Sequence, residues 1–188
     1  MIEGNRLQRK ISVEFEEVVN RLVGQLCWGI IAGAGTGSII SLQLGEQIPR
    51  QSPLNNLALS RVQKKYESEY TIFIECSWRV DSKSKVICGC WDDNSKNGEM
   101  VAGLKRLTGS TVTSVNVKKP AWDLELMFSN GFVLRVFCDS VNLADLNDNY
   151  SVFLPEGIFV VGTRGKLRKE QGRPADKGGI MSHKNRGT

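Results

Sequence analysis

The sequence predicts an α+β fold dominated by antiparallel strands, in which two related β-rich halves pack on one continuous core. Nine segments have the apolar content or the period-two alternation of half-buried strands. Two amphipathic segments, one before each half, predict an N-terminal helix and a short central helix that pack on the sheet. A chain of 188 residues with 40% hydrophobic residues is long enough for one such domain.

Both helices are predicted from apolar residues at helical spacing and from the residues that end them. The N-terminal helix is expected over residues 11–23, with Ser12 as a cap at its start and Gly24 at its end. The central helix is expected from about Asn97 to Gly109. The apolar residues that define the two faces are Ile11, Phe15, Val18, Val19, Leu22 and Val23, followed by Met100, Val101, Leu104 and Leu107.

The strands are expected between these helices and after the second one. Their predicted ranges are 25–32, 38–44, 70–80, 85–91, 111–117, 122–128, 132–138, 150–154 and 158–161. The alternation is clearest in 122–128 and 132–138. Asn130-Gly131 between them predicts a tight hairpin, because both residues tolerate positive φ. A second hairpin is expected to turn at residues 81–84.

Short matches between the two halves predict an internal repeat with units of about 22–92 and 107–162. The matched groups are Leu22-Val23-Gly24 with Leu107-Thr108-Gly109, Leu42 and Leu44 with Leu124 and Leu126, and Ile72, Ile74 and Cys76 with Leu134, Val136 and Cys138. The offsets fall from 85 to 82 to 62, so an insertion of about twenty residues is expected over 46–69. Its Pro and Asn residues predict a loop, with a short helix near 57–66.

The net charge of +5 is concentrated at the C-terminal end. Residues 163–188 contain eight basic side chains against Glu170 and Asp176, a net charge of +6, which leaves the first 162 residues at −1. Apolar residues almost vanish after residue 162, so 1–162 is predicted to be a single globular domain and 163–188 a basic disordered tail. The tail is the feature that favours a nucleic-acid partner.

The residue types needed for common catalytic sites are scarce. The single histidine, His183, lies in the predicted tail, which excludes Ser-His, Cys-His and His-metal sites within the domain. The cysteines lie in apolar or alternating runs and are expected to be reduced core residues. They are Cys27, Cys76, Cys88, Cys90 and Cys138. We expect neither a metal nor a cofactor.

Two motifs have both a structural and a functional interpretation. Cys88-Gly89-Cys90 could chelate a soft metal together with Cys76, but alternate positions of a strand are typical of core cysteines. The segment from Gly33 to Gly37 could cradle an anion, but it lacks the lysine of a phosphate loop and precedes a strand. A turn between strands is therefore favoured, and anion binding by that loop stays open.

Acidic loop residues and two strand residues are the candidate binding residues. They are Asp92, Asp93, Asp139, Asp145 and Asp148, together with Trp78 and Arg79. Paired acids can act as general acids and bases or hold a divalent metal, but solvated loops have the same composition. A solvated loop is the favoured interpretation for them, a protein-binding surface comes second and catalysis last. Trp and Arg anchor many interfaces, although a Trp in a strand is more often a core residue.

A wider set of glycines, aromatics and alternating residues gives the chain a resemblance to a known kind of protein. Over about residues 22–167 the motifs are Gly24 with Gly35-Thr36-Gly37-Ser38 and Leu42-x-Leu44-Gly45, Ile74-x-Cys76-x-Trp78-Arg79 with Asp92, Leu104-x-x-Leu107-x-Gly109, Trp122-x-Leu124-x-Leu126-x-Phe128-x-x-Gly131, and Asp148-Asn149-Tyr150-x-x-Phe153-x-Pro155. In these motifs the chain resembles small bacterial proteins of immunity-like and defence-associated families. The resemblance implies a folded binding module and assigns no active-site residues.

Three functions follow as hypotheses. The first is a non-enzymatic protein-binding module, such as an immunity-type antagonist that blocks a bacterial toxin by occluding it. The alternatives are a nucleic-acid-associated protein that acts through the basic tail, and an enzyme that uses carboxylates or a thiolate between the halves. The sequence shows no signal peptide and no stretch of about 20 apolar residues, so a cytoplasmic location without a membrane partner is expected. It gives no oligomeric state.

Overall fold

A computed structural model describes residues 2–142 and 148–171, with side chains from residue 8 onward. The helices of this part of the chain are α1 (Ile2–Asn20), α2 (Arg61–Lys65) and α3 (Glu99–Leu104), with 3₁₀ turns at Lys105–Leu107 and Thr163–Gly165. The strands are β1 (Leu26–Gly33), β2 (Gly37–Pro49), β3 (Tyr66–Ile74), β4 (Ser77–Asp81), β5 (Val86–Gly89), β6 (Ser110–Lys118), β7 (Asp123–Phe128), β8 (Val133–Phe137), β9 (Tyr150–Leu154), β10 (Gly157–Val161) and β11 (Leu167–Gln171). Strands dominate, which confirms the predicted fold class.

The strands form one antiparallel sheet in the order β11-β10-β9-β3-β2-β1-β6-β7-β8-β4-β5. Each half begins as a three-stranded meander, β1-β2-β3 and β6-β7-β8, and the meanders join through β1 and β6. The strands that follow are exchanged. β4 pairs with β8 of the second half, whereas β9 pairs with β3 of the first half. Each half therefore completes the sheet of the other.

The sheet curls back on itself, because the chain passes from β3 to β4 through Glu75 and Cys76 alone. An extended chain covers at most about 3.6 Å per residue, so the Cα atoms of Ile74 and Ser77 lie within about 11 Å. Six strand spacings of about 4.8 Å would place β3 and β4 about 29 Å apart in a flat sheet. Only a rolled sheet brings these strands together, and its inner face encloses the core.

The inner face of the sheet and the helices before each half form one hydrophobic core. Phe15 of α1 is fully buried and packs edge-on against Trp122, with ring centroids 5.5 Å apart. Its ring also packs on Tyr150 and Phe159, at 6.4 and 5.8 Å. Residues of both halves contribute to this core, so each half stabilises the other.

The strand pairing relates the two halves and corrects the predicted match in β2. Leu42 pairs with Ile72, and Leu126 pairs with Leu134. Leu42 therefore corresponds to Leu126, at an offset of 84, and the predicted match to Leu124 at an offset of 82 is wrong. Side chains of a strand alternate between its two faces, so shifting the alignment by two residues leaves every side chain on the same face. The sequence pattern therefore cannot distinguish the two alignments.

Trp78 of β4 and Tyr150 of β9 occupy equivalent positions in the exchanged segments. Both side chains are buried, and each donates one hydrogen bond to a backbone carbonyl. Trp78 Nε1 donates to Ser38 O at 2.7 Å, and Tyr150 Oη donates to Trp122 O at 2.8 Å. Ser38 and Trp122 are themselves equivalent at the offset of 84, at the start of the second strand of each half. Comparison of the sequences misses this match because Trp and Tyr differ in type.

Glycines follow both helical segments, Gly24 four residues after α1 ends at Asn20 and Gly109 two residues after the 3₁₀ turn ends at Leu107. Gly24 and Gly109 have φ angles of 88° and 84°, in the left-handed region that favours glycine. Their N–H groups donate to Val112 O at 2.8 Å and to Cys27 O at 2.7 Å, each in the other half. α1 begins at Ile2, nine residues before the predicted start at residue 11. None of the helices within residues 2–142 and 148–171 is long and apolar enough to cross a membrane.

The predicted hairpin at Asn130-Gly131 is confirmed, with positive φ at one of the two residues. Gly131 has a φ of 84°, and its N–H donates to Phe128 O at 2.9 Å. Phe128 N in turn donates to Phe132 O at 2.9 Å, which closes a three-residue loop. The second predicted hairpin also forms, because Ser82 N donates to Lys85 O at 2.8 Å between β4 and β5.

Two predicted segments have different structures. The single strand predicted over 70–80 is two strands, since the N–H groups of Glu75 and Cys76 both donate to Asn149 O and leave the ladder there. The insertion predicted as a loop over 46–69 instead lengthens both strands of the β2-β3 hairpin. The end of β2 and the start of β3 lie within it, and α2 lies between them. Gln63 and Ser60 form a capping box at the start of α2, a local signal that the apolar pattern does not show.

The predicted domain boundary at residue 162 is wrong, because β11 pairs with β10 from Leu167 opposite Val161 to Gln171 opposite Gly157. Leu167 is 2% exposed and fixes the strand on the core. One apolar residue among charged neighbours gives no alternation, so the sequence indicates a tail instead. Residues 172–188, which include His183, lie outside the described residues.

Candidate protein-binding surface

Trp91 is an exposed aromatic residue at the edge of the sheet, directly after β5. Its side chain is 90% exposed. Cys88 in β5 faces the core at 1% exposure. Cys90 and Trp91 are the two central residues of the turn that Asp92 N closes on Gly89 O, and in this turn the Cys90 side chain is 8% exposed while the indole of Trp91 faces solvent.

Backbone hydrogen bonds hold Trp91 from both sides. Cys90 N donates to Trp78 O at 3.1 Å, and Asp92 N donates to Gly89 O at 3.2 Å. The Asp92 carboxylate also accepts a hydrogen bond from Gly89 N at 2.8 Å. Because these bonds fix the turn, an anchor at Trp91 loses little backbone freedom on binding.

Asp92 also blocks the edge of the sheet at Gly89. The N–H and C=O groups of Gly89 both bond to Asp92. An edge strand whose backbone groups are occupied cannot pair with another strand at that point. This surface therefore offers a side-chain anchor, and the first candidate acid has a structural role in presenting it.

Asp93 orders the loop between Trp91 and α3 while it stays exposed. Its carboxylate accepts hydrogen bonds from Ser95 N and Ser95 Oγ, both at 2.9 Å, and these bonds lower the pKa of Asp93. Its carbonyl accepts a hydrogen bond from Met100 N at 3.1 Å. A Cβ at Gly98 would overlap the backbone of Asp93, so the loop packs too tightly there for a larger residue.

The glycine-rich segment from Gly33 to Gly37 is the turn between β1 and β2, as predicted. Thr36 N and Thr36 Oγ1 both donate to Gly33 O, at 2.9 and 3.0 Å. Asn94 Nδ2 donates to Gly37 O at 3.2 Å. This turn thereby braces the loop that carries Trp91.

Trp78 and Arg79 differ sharply in exposure. Trp78 is 1% exposed, so the core interpretation of its position is confirmed and its side chain is not available to a partner. Arg79 lies on the outer face, where its Nε is 3.1 Å from Asp81 Oδ2 and its guanidinium lies over the Phe137 ring, 5.3 Å from the centroid. Arg79 remains accessible on the outer face of the sheet, whereas Trp78 lies on the inner face. The two residues therefore do not form one binding site.

The acids after β8 have partners within the fold. The Asp139 carboxylate accepts a hydrogen bond from Ser77 Oγ. Asp148 forms a bidentate ion pair with Arg168 of β11, at 3.0 and 2.9 Å, and this pair raises the pKa of Arg168. Asp145 lies outside the described residues. Asp139 lies beside the start of β4, and Asp148 lies just before β9. Asp92 and Asp93 make their contacts elsewhere, in the loop before α3.

Basic residues at the start of the predicted tail are also engaged. Lys169 forms an ion pair with Glu14, and Arg164 Nε donates to Val141 O at 2.9 Å. Counted through residue 171, the chain carries +2, and residues 172–188 carry the remaining +3. The expectation of a slightly negative folded body is therefore wrong, because the predicted boundary excluded β11.

All five cysteines are free thiols. Burial raises the pKa of Cys27 to about 12 and that of Cys88 to about 12. Cys88 packs against α3 at Gly103, which agrees with the core interpretation of Cys88-Gly89-Cys90. Within residues 2–142 and 148–171, no group of three His, Cys, Asp or Glu side chains is placed to hold a metal ion.

Trp91 is the candidate residue that the motif search missed, and a signal for it exists in the sequence. Two cysteines at alternate positions predict an inward face, and Trp91 follows the second of them on the opposite face. The predicted strand over 85–91 includes Trp91 as its last apolar residue, so its exposure was not predicted. Composition favoured the neighbouring acids, whose role is to shape the turn.

Comparison with protein-family models gives no match, and comparisons with curated proteins and with solved structures give none. The resemblance to immunity-like proteins therefore stays a prediction, and the surface at Trp91 has to be argued from its own geometry.

Proposed function

We propose that the chain is a non-enzymatic protein-binding module with Trp91 as its anchor. The observation that carries the proposal is a 90% exposed indole on a turn that is hydrogen-bonded on both sides. Trp is one of the residue types that dominate interface energies, where truncation costs about 2 kcal/mol or more. An apolar pocket on the partner is the complementary feature.

The surroundings of Trp91 suit the rim of such an interface. Val86, at the start of β5, is 59% exposed and adds apolar surface along the same edge. Asp93 and Lys96 are exposed in the loop that follows and supply polar groups of both signs. A central aromatic anchor with a polar rim is the usual anatomy of a protein interface.

Within this class we propose an immunity-type antagonist that blocks a bacterial toxin by occluding it. The support is the sequence resemblance, together with a scaffold whose halves share one core. A pre-organised surface suits occlusion, because little ordering is required on binding. Occlusion requires that the captured partner loses activity in the presence of this protein, and that it keeps that activity with Trp91→Ala.

The test compares three tagged proteins in the cells that produce the chain: the natural sequence, Trp91→Ala and Leu57→Ala. Leu57 is 92% exposed in the segment before α2 and controls for loss of exposed apolar surface. Captured proteins are quantified by mass spectrometry, and the affinity of the recovered partner is measured by titration calorimetry. We expect Trp91→Ala to weaken binding by about 30-fold or more and Leu57→Ala to change it less than about twofold.

Equal retention of the partner by the natural sequence and by Trp91→Ala would contradict the proposal. Loss of the partner with Leu57→Ala alone would move the binding surface to the 46–69 insertion. Circular dichroism of each variant confirms that the substitutions leave the fold intact.

A further inference from the structure

Cys76 and Cys138 meet where the two exchanged segments cross. In the antiparallel pair of β4 and β8, Ser77 lies opposite Phe137. The register continued by one residue places Cys76 opposite Cys138. These two cysteines are also equivalent in the two halves, at the predicted offset of 62.

The backbone at this pair has the geometry that a disulfide requires. Cys76 N donates to Asn149 O at 3.1 Å and Cys138 N to Asp123 Oδ1 at 2.7 Å, so the two cysteines exchange no backbone hydrogen bonds. Residues directly opposite in antiparallel strands have Cα atoms about 4.5–5.5 Å apart. Disulfides span about 4.4–6.8 Å between Cα atoms, a range that includes this spacing.

Both side chains point into the same space. Trp78 and Val136 are an opposed pair on the inner face, and the two cysteines stand two residues farther along on that face. The neighbouring Cys76 thiol, together with burial, raises the pKa of Cys138 well above its ordinary value. Cys76 is 8% exposed and Cys138 is half-buried, so a small oxidant approaches from the side of Cys138.

We propose that Cys76 and Cys138 are a reversible modification site that closes to a disulfide on reaction with hydrogen peroxide. Cys76 loses its proton to solvent and the thiolate attacks one peroxide oxygen, the O–O bond breaks, and the departing hydroxide takes the proton of Cys138 to form water. The product at Cys76 is a sulfenic acid. The Cys138 thiolate then attacks the Cys76 sulfur, the S–O bond breaks, and the second hydroxide is protonated by solvent. Two thiols are oxidised to one disulfide, and one peroxide is reduced to two waters.

The disulfide links the two connections through which the halves exchange strands. It joins the residue between β3 and β4 to the residue after β8. A bond across 62 residues restricts the unfolded chain strongly, so the oxidised protein is more resistant to heat. Oxidation therefore locks the exchanged arrangement.

The experiment exposes the full chain to a small excess of hydrogen peroxide and counts thiols after denaturation. The natural sequence should fall from five reactive thiols to three. Cys90→Ser, which removes a thiol of the same 8% exposure, should fall from four to two. Cys76→Ser should keep all four, whereas Cys138→Ser should fall from four to three, because its Cys76 sulfenic acid has no resolving thiol. Peptide mapping should identify the cross-linked pair, and dithiothreitol should restore the thiols.

A second measurement compares melting temperatures of the oxidised and reduced protein. We expect a rise of several degrees in the natural sequence and in Cys90→Ser, and no rise in either variant of the pair. Retention of five thiols in the natural sequence would overturn the proposal. A disulfide mapped to Cys88 and Cys90 would overturn it as well, as would loss of two thiols from Cys138→Ser.

Discussion

Replacing Gly103 by Ala tests how closely α3 packs on β5. Gly103 is buried, and a Cβ at this position would lie 2.6 Å from Cys88 Cβ and closer still to its sulfur. Real Cβ atoms do not approach this closely, and Cys88 Cβ is fixed by its strand. The added methyl group therefore forces α3 or β5 to move.

The expected loss of stability is the difference between two effects. Overpacking of a core typically costs about 1–3 kcal/mol. Ala is the better helix former by about 0.8–1.0 kcal/mol, which offsets part of that cost. The 2.6 Å approach to Cys88 Cβ places the cost in the upper part of that range, about 2–3 kcal/mol. The net expectation is therefore a loss of about 1–2 kcal/mol, and a melting temperature lower by about 3–6 °C for a chain of this size.

Urea unfolding followed by circular dichroism measures this loss, with Gly35→Ala as the matched control. Gly35 lies in the turn between β1 and β2, and a Cβ there would meet no atom within 4 Å. Gly35→Ala should therefore change the free energy of unfolding by less than about 0.5 kcal/mol. An unchanged or increased stability of Gly103→Ala would refute the packing described for α3.

A double-mutant cycle identifies the contact that causes the loss. Cys88→Ala removes the sulfur that the new methyl group would meet most closely. Gly103→Ala should therefore cost less in the Cys88→Ala background, with a coupling energy of at least about 0.5 kcal/mol. Additive effects would show that the new methyl group does not meet the sulfur.

The remaining predictions concern one hydrogen bond, one turn and the last strand. Tyr150→Phe leaves a buried carbonyl unpaired and should lower the free energy of unfolding by about 1–3 kcal/mol in urea. Gly131→Val, strained at a φ of 84°, should cost about 1–3 kcal/mol, and an unchanged urea midpoint would contradict the turn. Truncation after Gln171 should leave the melting temperature unchanged, whereas truncation after Gly162 should lower it clearly, because Leu167 leaves the core. Equal melting temperatures of the two truncations would show that β11 adds no stability.

Local patterns were sufficient to predict most strands and turns. The segment 122–138 alternates apolar and polar residues on both sides of an Asn-Gly turn, and each of these signals acts over a few residues. Gly24 and Gly109 end their helices because only the left-handed conformation lets the chain turn into the next strand. Structure that is determined by neighbours in sequence is visible in the sequence.

The exchange of strands depends on contacts that are distant in sequence. The alternation of residues 70–80 continues through Glu75 and Cys76, so nothing in the pattern marks where the strand changes its partners. The same limitation applies to β11, where Leu167 is the single apolar residue that fixes a charged strand on the core. In both cases the free energy comes from tertiary packing that no local window contains.

The candidate site shows the same division between local and distant information. Asp92 and Asp148 have the composition of a binding loop, but one bonds to the turn that it follows and the other to Arg168, twenty residues later. Composition identifies charged residues without their partners. Alternation continued from Cys88 and Cys90 predicts an exposed Trp91, and the structure reaches the same result through the turn from Gly89 to Asp92.

The repeat itself indicates why the surface at Trp91 is special. β5 and β10 are equivalent strands, since each is the outer partner of an exchanged strand. In the second half the chain continues after β10 through a 3₁₀ turn and adds β11, which covers that edge. In the first half the equivalent position after β5 is Trp91, and the chain leaves for α3 without covering the edge. The repeat accounts for the architecture that the two halves share. A requirement other than folding can therefore act where one half differs from the other. At that place the chain holds an exposed indole on a fixed turn.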